Sequence, residues 1–369
     1  MKSKRKNFEL DILIIAAAFF APAVATIAVC FILLTRDNFS SPTVAATVPF
    51  KNEEAEFFLE TAPEPEEHLP AAADKPKQIR LLFFGDLMLD RNVGARIKEN
   101  NLDYLFTKLA VRNFFGNYDL ISANLEGAVT DGGVHYLPDN AYDFAFAPAL
   151  IEELKNYNFN FFNIANNHLT DQGQRGVSET GDNLNQLGIN FSGCPDSVVD
   201  GCSSKIVTIN NLKIGLAGFS MVYHPIDLAA AEKIIKDLAE TTDFVAVNIH
   251  WGAEYAHQFS KSQQSIGRAL IDAGADLIIG HHPHVVQGAE NYNGKYIFYS
   301  LGNFIFDQYF SPDTQQGLAV EIIIDFDDLE NILYQYNLYP LQSQSSQVDL
   351  MSDEQKEKFL QDFSKWSMP

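Results

Sequence analysis

Three of the chain's nine histidines fall within four positions in the stretch DLIIGHHPHVVQ, residues 276–287, directly after the apolar run Leu277, Ile278 and Ile279. Five other apolar runs also end in groups able to do chemistry. LLFFGD ends at Asp86, DLISANLE at Asn124 and Glu126, and FNFFNIANNH at Asn166, Asn167 and His168. FVAVNIHWG ends at His250, and YIFYSLGNF leads to Asn303. Imidazole, carboxylate and amide oxygen together suit a borderline or hard divalent cation such as Zn²⁺, Mn²⁺ or Fe²⁺, and the lack of cysteine among them argues against a thiolate-rich structural zinc. A two-metal centre would use a bridging carboxylate, with ions about 3.5–4 Å apart that activate water and stabilise an anionic transition state. If GHHPH is extended, successive side chains alternate in direction, so the histidines need not share one ion, and His281 points elsewhere. Pro283 between them stiffens the loop.

Such residues must be positioned by the elements before them. Short apolar runs alternate with helix-like stretches such as PALIEELKNY (148–157) and SIGRALIDAG (265–274), the pattern of an α/β domain. In open α/β sheets ligands bind beyond the carboxyl ends of the strands, where loops converge, so six polar strand ends are candidates for one site. In the tail, Ser352 and Gln355 form a capping-box pattern, and Phe359, Phe363 and Trp366 follow at helical spacing. An amphipathic helix docked on the domain is expected there.

Composition limits the functions open to the chain. Its 369 residues are 46% hydrophobic, enough for a large core and incompatible with disorder throughout. The 48 acidic residues against 26 basic ones give a formal charge of −22, the opposite of a nucleic-acid-binding footprint. A basic segment over residues 1–11 precedes an uncharged apolar stretch from Ile12 to Leu34, which as a helix would be about 34 Å long and could span a membrane once. The basic segment then stays cytoplasmic and the remainder lies outside the cell. Cleavage after the small residues AVA at 23–25 is the rival expectation. Residues 35–78, rich in proline and glutamate, read as a solvated tether. Cys30 falls in the apolar stretch, while Cys194 and Cys202 would meet an oxidising compartment, as a short loop disulfide or as two thiols. His135 and His257 lie outside the motifs and read as surface residues.

In order along the chain, FFGDLMLDRNVG, NLEG, NIANNHLTDQG, HWGAEY, GHHPHVVQ and YSLGNFIFDQ resemble the motifs of the CapA family of poly-γ-glutamate capsule synthesis proteins, relatives of calcineurin-like metallophosphoesterases. The resemblance covers residues 79–325 and leaves 326–369 as a carboxyl-terminal extension. It implies a four-layer αββα sandwich, two mixed sheets face to face with helices outside. By motif, Asp86 resembles a metal carboxylate, Asn167 an amide ligand, and His250, His282 and His284 imidazole ligands. His168 matches a histidine that contacts a scissile phosphate or protonates a leaving group.

Two departures from the phosphoesterase pattern stand out. Met88 occupies the position of a first-motif histidine ligand, and NLEG replaces the usual Gly-Asp, which makes Glu126 the candidate bridging carboxylate with Asn124 as its neighbour. Arg91 could grip a carboxylate or phosphate, or make a structural ion pair. Glu254, Tyr255, Gln287 and Asn303 could line the cleft or orient ligands, and YLPDNAYDFAFAP (136–148) could form a flap.

The resemblance therefore implies a single-pass, membrane-anchored extracytoplasmic protein with one or two divalent ions. Its role would be in synthesis, export or attachment of an anionic γ-glutamyl polymer, beside capsule-synthase membrane subunits. A metal-dependent phosphoesterase acting on a nucleotide or a phosphate-bearing envelope substrate is the first alternative. A non-catalytic scaffold of an export complex is the second.

Overall fold

The computed structural model describes residues 77–137, 142–327 and 331–368. The expected membrane stretch and nearly all of the tether lie outside these residues. Among the described residues no helix is long and apolar enough to cross a membrane.

The chain runs β1 (Lys77–Leu87), α1 (Arg91–Asn100), α2 (Asp103–Ala110), β2 (Leu120–Leu125), β3 (Ala128–Val129) and β4 (Ala145–Phe146). It continues through α3 (Pro148–Glu153), β5 (Phe159–Asn163), α4 (Gly173–Gln186), β6 (Asn190–Ser192), β7 (Ser204–Ile209) and β8 (Leu212–Ser220). Then come α5 (Leu228–Ala239), β9 (Phe244–His250), α6 (Lys261–Asp272), β10 (Leu277–His281), β11 (Ala289–Tyr292) and β12 (Lys295–Phe298). The last elements are β13 (Asn303–Ile305), β14 (Gln316–Asp327), β15 (Asn331–Gln344), β16 (Gln347–Leu350) and α7 (Asp353–Trp366).

Two mixed sheets carry the domain. The first has the order β16-β15-β14-β1-β2-β5-β6, with β13 also pairing β1; the second runs β11-β12-β10-β9-β8-β7. Central strands are parallel, and β7, β11, β14, β15 and β16 are antiparallel to their neighbours.

Strand periodicity explains the layers. Along β1, Ile79, Leu81 and Phe83 enter the core between the sheets, whereas Leu82 and Phe84 enter a second core under α1 to α4. Along β9, Phe244 and Ala246 face the first sheet while Val245, Val247 and Ile249 face α5 and α6. A strand covered on both faces has no polar side, which is why these segments read as unbroken apolar runs. The result is helices, sheet, sheet, helices.

The segment from residue 326 onward is integral rather than appended. β15 pairs along the whole of β14 and carries β16. α7 opens with the Ser352–Gln355 capping box and buries Phe359 and Phe363 in the core between the sheets. Cys194 and Cys202 are joined in a disulfide, with Cα atoms 5.3 Å apart.

One local device matters for the site. The register of β1 against β2 shifts between Phe83 and Asp86. That irregularity lets β1 leave β14 and pair β13, with Asp86 opposite both Asn124 and Asn303. Register breaks of this kind re-aim side chains beside functional sites.

Candidate metal centre

The sheets bring their carboxyl-terminal strand ends to one place. Asp86, Asn124 and Asn163 are register neighbours in the first sheet, and Ser220, His250 and His281 are neighbours in the second. Asp86, Asn124, Glu126, Asn163, His250 and His281 are all fully buried, and Asn167, His168, His282 and His284 nearly so.

Asn124 is the hub. Its amide nitrogen donates to Asp86 Oδ1 at 2.8 Å, lies 3.4 Å from Glu126 Oε2, and faces His250 Nδ1 at 3.2 Å. Its oxygen accepts from Asn163 at 2.8 Å and Asn166 at 3.3 Å. His250 Nε2 meets Asn167 Oδ1 at 2.8 Å. His284 Nδ1 faces Asn303 Oδ1 at 2.9 Å and lies 3.5 Å from Asp86 Oδ2, while its Nε2 lies 3.7 Å from Glu126 Oε1. Donor atoms of Asp86, Glu126 and His284 lie within 4.8 Å of one another, and so do those of Glu254, His282 and His284.

These residues fit a cation. Two fully buried carboxylates sit side by side, an arrangement that is costly without a positive charge between them. Glu126 Oε1 and His282 Nδ1 are buried with no hydrogen-bond partner, so their lone pairs remain available. Asn303 and Asn124 hold the ring orientations of His284 and His250, the role amide and carboxylate partners commonly play behind metal ligands.

Titration reflects the same crowding. Burial and the Asp86 charge push Glu126 well above the usual carboxylate range. Burial opposes ionisation of Asp86, but hydrogen bonding and charge from His284 win and hold it low. Burial disfavours the His284 cation, yet Glu126 and Asp86 outweigh it and raise the ring to about 9. Burial lowers His281 to about 4; burial and then the His284 charge lower His282 to about 4. His250 falls well below its ordinary value through burial and neighbouring imidazoles.

The sign of the pH dependence follows. As pH falls from 6.5 to 4.5 the unfolded chain takes up protons at His250, His281 and His282 more readily than the metal-free fold does, three groups against Glu126, which holds its proton more tightly when folded. His284 is protonated in both states in this window, and its contribution is lost only as pH rises toward 9. Metal-free protein is therefore expected to lose stability as pH falls from 6.5 to 4.5. Urea midpoints in chelator across this window check it, and a midpoint that rises on acidification refutes it.

The structure departs from several expectations. GHHPH is not extended: His282 has φ 96° and His284 φ 58°, so the chain turns at each and both rings come within reach of Glu254. His281 does point elsewhere in part, with Nε2 3.2 Å from Asn248 Oδ1 and Nδ1 3.7 Å from Asp86. Arg91 takes the structural pairing, bonded to Asp307 and lying 4.9 Å from the centre of the Phe144 ring. Gln287 braces the loop after β9, accepting from Gln263 and donating to the Ala256 carbonyl, each at 2.8 Å. Met88 is buried with its sulfur accepting from the Asp90 amide and offers the site no donor. His257 is only partly exposed; it stacks on Trp366 of α7, ring centres 4.1 Å apart.

Asp171 was not among the expected residues. Its Oδ2 faces His168 Nδ1 at 2.8 Å and accepts from the Phe144 amide at 3.0 Å. His168 stacks on Phe144 and presents Nε2 3.7 Å from Glu126 Oε1. The acid three residues after the histidine in NNHLTD was the available sequence cue. Of the expected flap, Tyr136, Leu137 and Tyr142 are exposed, and Phe144 and Phe146 are buried; residues 138–141 lie outside the described residues.

Comparison with known proteins agrees with the motifs. The profile of a family described as bacterial capsule synthesis protein PGA_cap matches residues 80–308. The capsule biosynthesis protein CapA of Bacillus anthracis is 29% identical over 68% of this chain and 65% of its own length. The PGA biosynthesis protein CapA of Bacillus subtilis is 33% identical over 64% of this chain and 66% of its own length. The match thus spans slightly under two thirds of each relative. A solved structure, the calcineurin-like phosphoesterase YfkN of Bacillus subtilis, aligns at 14% identity over 78% of this chain and 97% of its own, with a TM-score of 0.39, a likeness too slight to argue from.

Proposed function

The chain belongs to the bacterial capsule synthesis protein family, and from that premise we propose that it acts in making, exporting or attaching a capsule polymer of poly-γ-glutamate type, through a divalent-metal centre of metallophosphoesterase type. The observation that carries the reading is the convergence of Asp86, Glu126, Asn167, His250, His282 and His284 at the strand ends of both sheets. The capsule and PGA biosynthesis roles named for the two Bacillus relatives support the polymer. The apolar stretch Ile12–Leu34 supports a single-pass anchor with the domain outside the cell. Capsule-synthase membrane subunits are the partners this location would give it.

A divalent ion, Mn²⁺, Zn²⁺ or Fe²⁺, would supply Lewis acidity and lower the pKa of bound water. The chain's own residues do the rest. Asp171 holds His168 through Nδ1, so Nε2 faces the acidic pair and can hand a proton to a leaving group. Phe144 stacks on that ring, centres 4.3 Å apart, and helps fix its plane. Asn303 engages Nδ1 of His284 and leaves Nε2 for the site.

Deleting the gene and complementing with His168→Ala or Asp171→Asn tests the catalytic part of this reading. Polymer, measured as glutamate released by hydrolysis, is expected to fall by about 10²-fold or more for His168→Ala, the scale of a lost general acid. Full polymer from variants shown to be metal-free would favour a scaffold. The His168–Asp171 pair also supports a second reading, phosphoester hydrolysis, and turnover of simple phosphate esters with Mn²⁺ would favour it. Because the chain carries a formal charge of −22, binding of a polyanion is expected to strengthen as salt is raised from low ionic strength. Titrations with poly-γ-glutamate in a salt series check this, and weakening from the lowest salt upward contradicts it.

A further inference from the structure

Glu254 differs from the other residues around the centre. It is exposed, it comes from the loop after β9, and its carboxylate lies within 4.8 Å of donor atoms of two buried histidines. We infer that Glu254 is a protein ligand, with His282 and His284, on the solvent side of the centre, and that its carboxylate holds a divalent ion there. The inference rests on the metal reading above and adds a donor to it.

Four observations carry it. His282 is 5% exposed, and its Nδ1 is buried without a hydrogen-bond partner. A neutral imidazole so placed has a lone pair or proton unsatisfied, which native structures avoid unless a ligand serves it. The backbone at both histidines is strained, with φ 96° at His282 and 58° at His284. Non-glycine residues in such conformations are strained and persist where a site uses them. Here the effect is to turn both rings toward one carboxylate.

The Glu254 loop is also latched in place. The Tyr255 amide donates to the Pro283 carbonyl at 2.8 Å, and the Trp251 amide donates to the His281 carbonyl at 3.0 Å. Gly252, at φ 94°, makes the turn between them, where a Cβ would lie 2.7 Å from the Gln263 side chain. The carboxylate is thus tied by backbone bonds to the segment that carries the histidines. Finally, the donor set is chemically apt. Two imidazoles and one carboxylate bind Zn²⁺ or Fe²⁺ and leave positions open for water or substrate. An exposed carboxylate completing that set is the donor an incoming anion meets first.

The test is Mn²⁺ titration of the full chain by electron paramagnetic resonance, with Co²⁺ absorption spectra as a second readout, for wild type, Glu254→Gln, His282→Ala and the exposed control Glu240→Gln. Glu254→Gln is expected to weaken Mn²⁺ binding by about 10- to 100-fold and to alter the Co²⁺ ligand-field bands; Glu240→Gln is expected to change neither. Wild-type affinity and an unchanged Co²⁺ spectrum in Glu254→Gln, with binding lost in His282→Ala, overturn the assignment and leave the centre standing. A wild-type chain that binds neither ion overturns both.

Discussion

Replacing His284 by alanine is expected to strip the protein of stoichiometric divalent metal and to destabilise the metal-free fold. His284 is the residue common to both donor groups, Asp86–Glu126–His284 and Glu254–His282–His284. Its loss removes an imidazole from each. It also removes the positive charge that faces Asp86 Oδ2 at 3.5 Å and Glu126 Oε1 at 3.7 Å. Both carboxylates are fully buried, and stripping one partner from a buried charge group costs about 3–5 kcal/mol. His281→Ala serves as the contrast, because His281 bonds Asn248 and stands outside both groups; that variant should keep most of its metal. Plasma mass spectrometry and urea denaturation of the two variants read the difference. Equal metal content in the His284 variant and wild type would remove His284 from the centre.

The second large effect is predicted for a methyl group. A Cβ on Gly85 would lie 1.9 Å from the Gly302 carbonyl oxygen, which accepts the Asp86 amide at 3.0 Å. Both partners are backbone at the junction of β1 and β13, so neither can rotate away. Gly85→Ala must push the strands apart at the residue before the central carboxylate. We expect it to cost about 3 kcal/mol or more, at the upper end for overpacking, and to lower metal affinity together with stability. Gly181→Ala in α4 is the control. Its Cβ would meet only a Phe191 ring carbon at 3.7 Å, so helix propensity favours it by up to about 1 kcal/mol. Thermal unfolding of the two variants compares them, and a Gly85 variant as stable as wild type refutes the close approach.

What could be read from the sequence follows from these same physical features. The α/β alternation and the polar strand ends were legible because strands buried on both faces are unbroken apolar runs that stop where the site begins. α7 was legible because a capping box and three aromatics at helical spacing are local features. β15 was not read, although Tyr334, Tyr336 and Leu338 alternate with Gln335 and Asn337 as in a strand covered on one face, because Pro340 interrupts the run. Its role depends on pairing with β14, a nonlocal fact.

Within the site, residue types were readable and directions were not. Period-2 alternation would put His282 and His284 on one face of an extended GHHPH and His281 on the other, but the turns the chain actually makes, at positive φ on His282 and His284, are not readable from residue types. Glu254 was readable as a residue that could line the cleft or orient ligands but not as a donor beside His282 and His284, because those partners arrive from a different loop. Asp171 was missed, and His257 read simply as a surface residue, for the same reason: one is defined by what it holds, His168 and Phe144, the other by the Trp366 ring stacked on it.

The most direct test of the metal centre is anomalous diffraction at the manganese edge from a crystal of the protein grown with Mn²⁺. A peak enclosed by Asp86, Glu126 and His284, within bonding distance of their donor atoms, is the expected result. A well-ordered crystal with those side chains in place and no anomalous peak among them would contradict it.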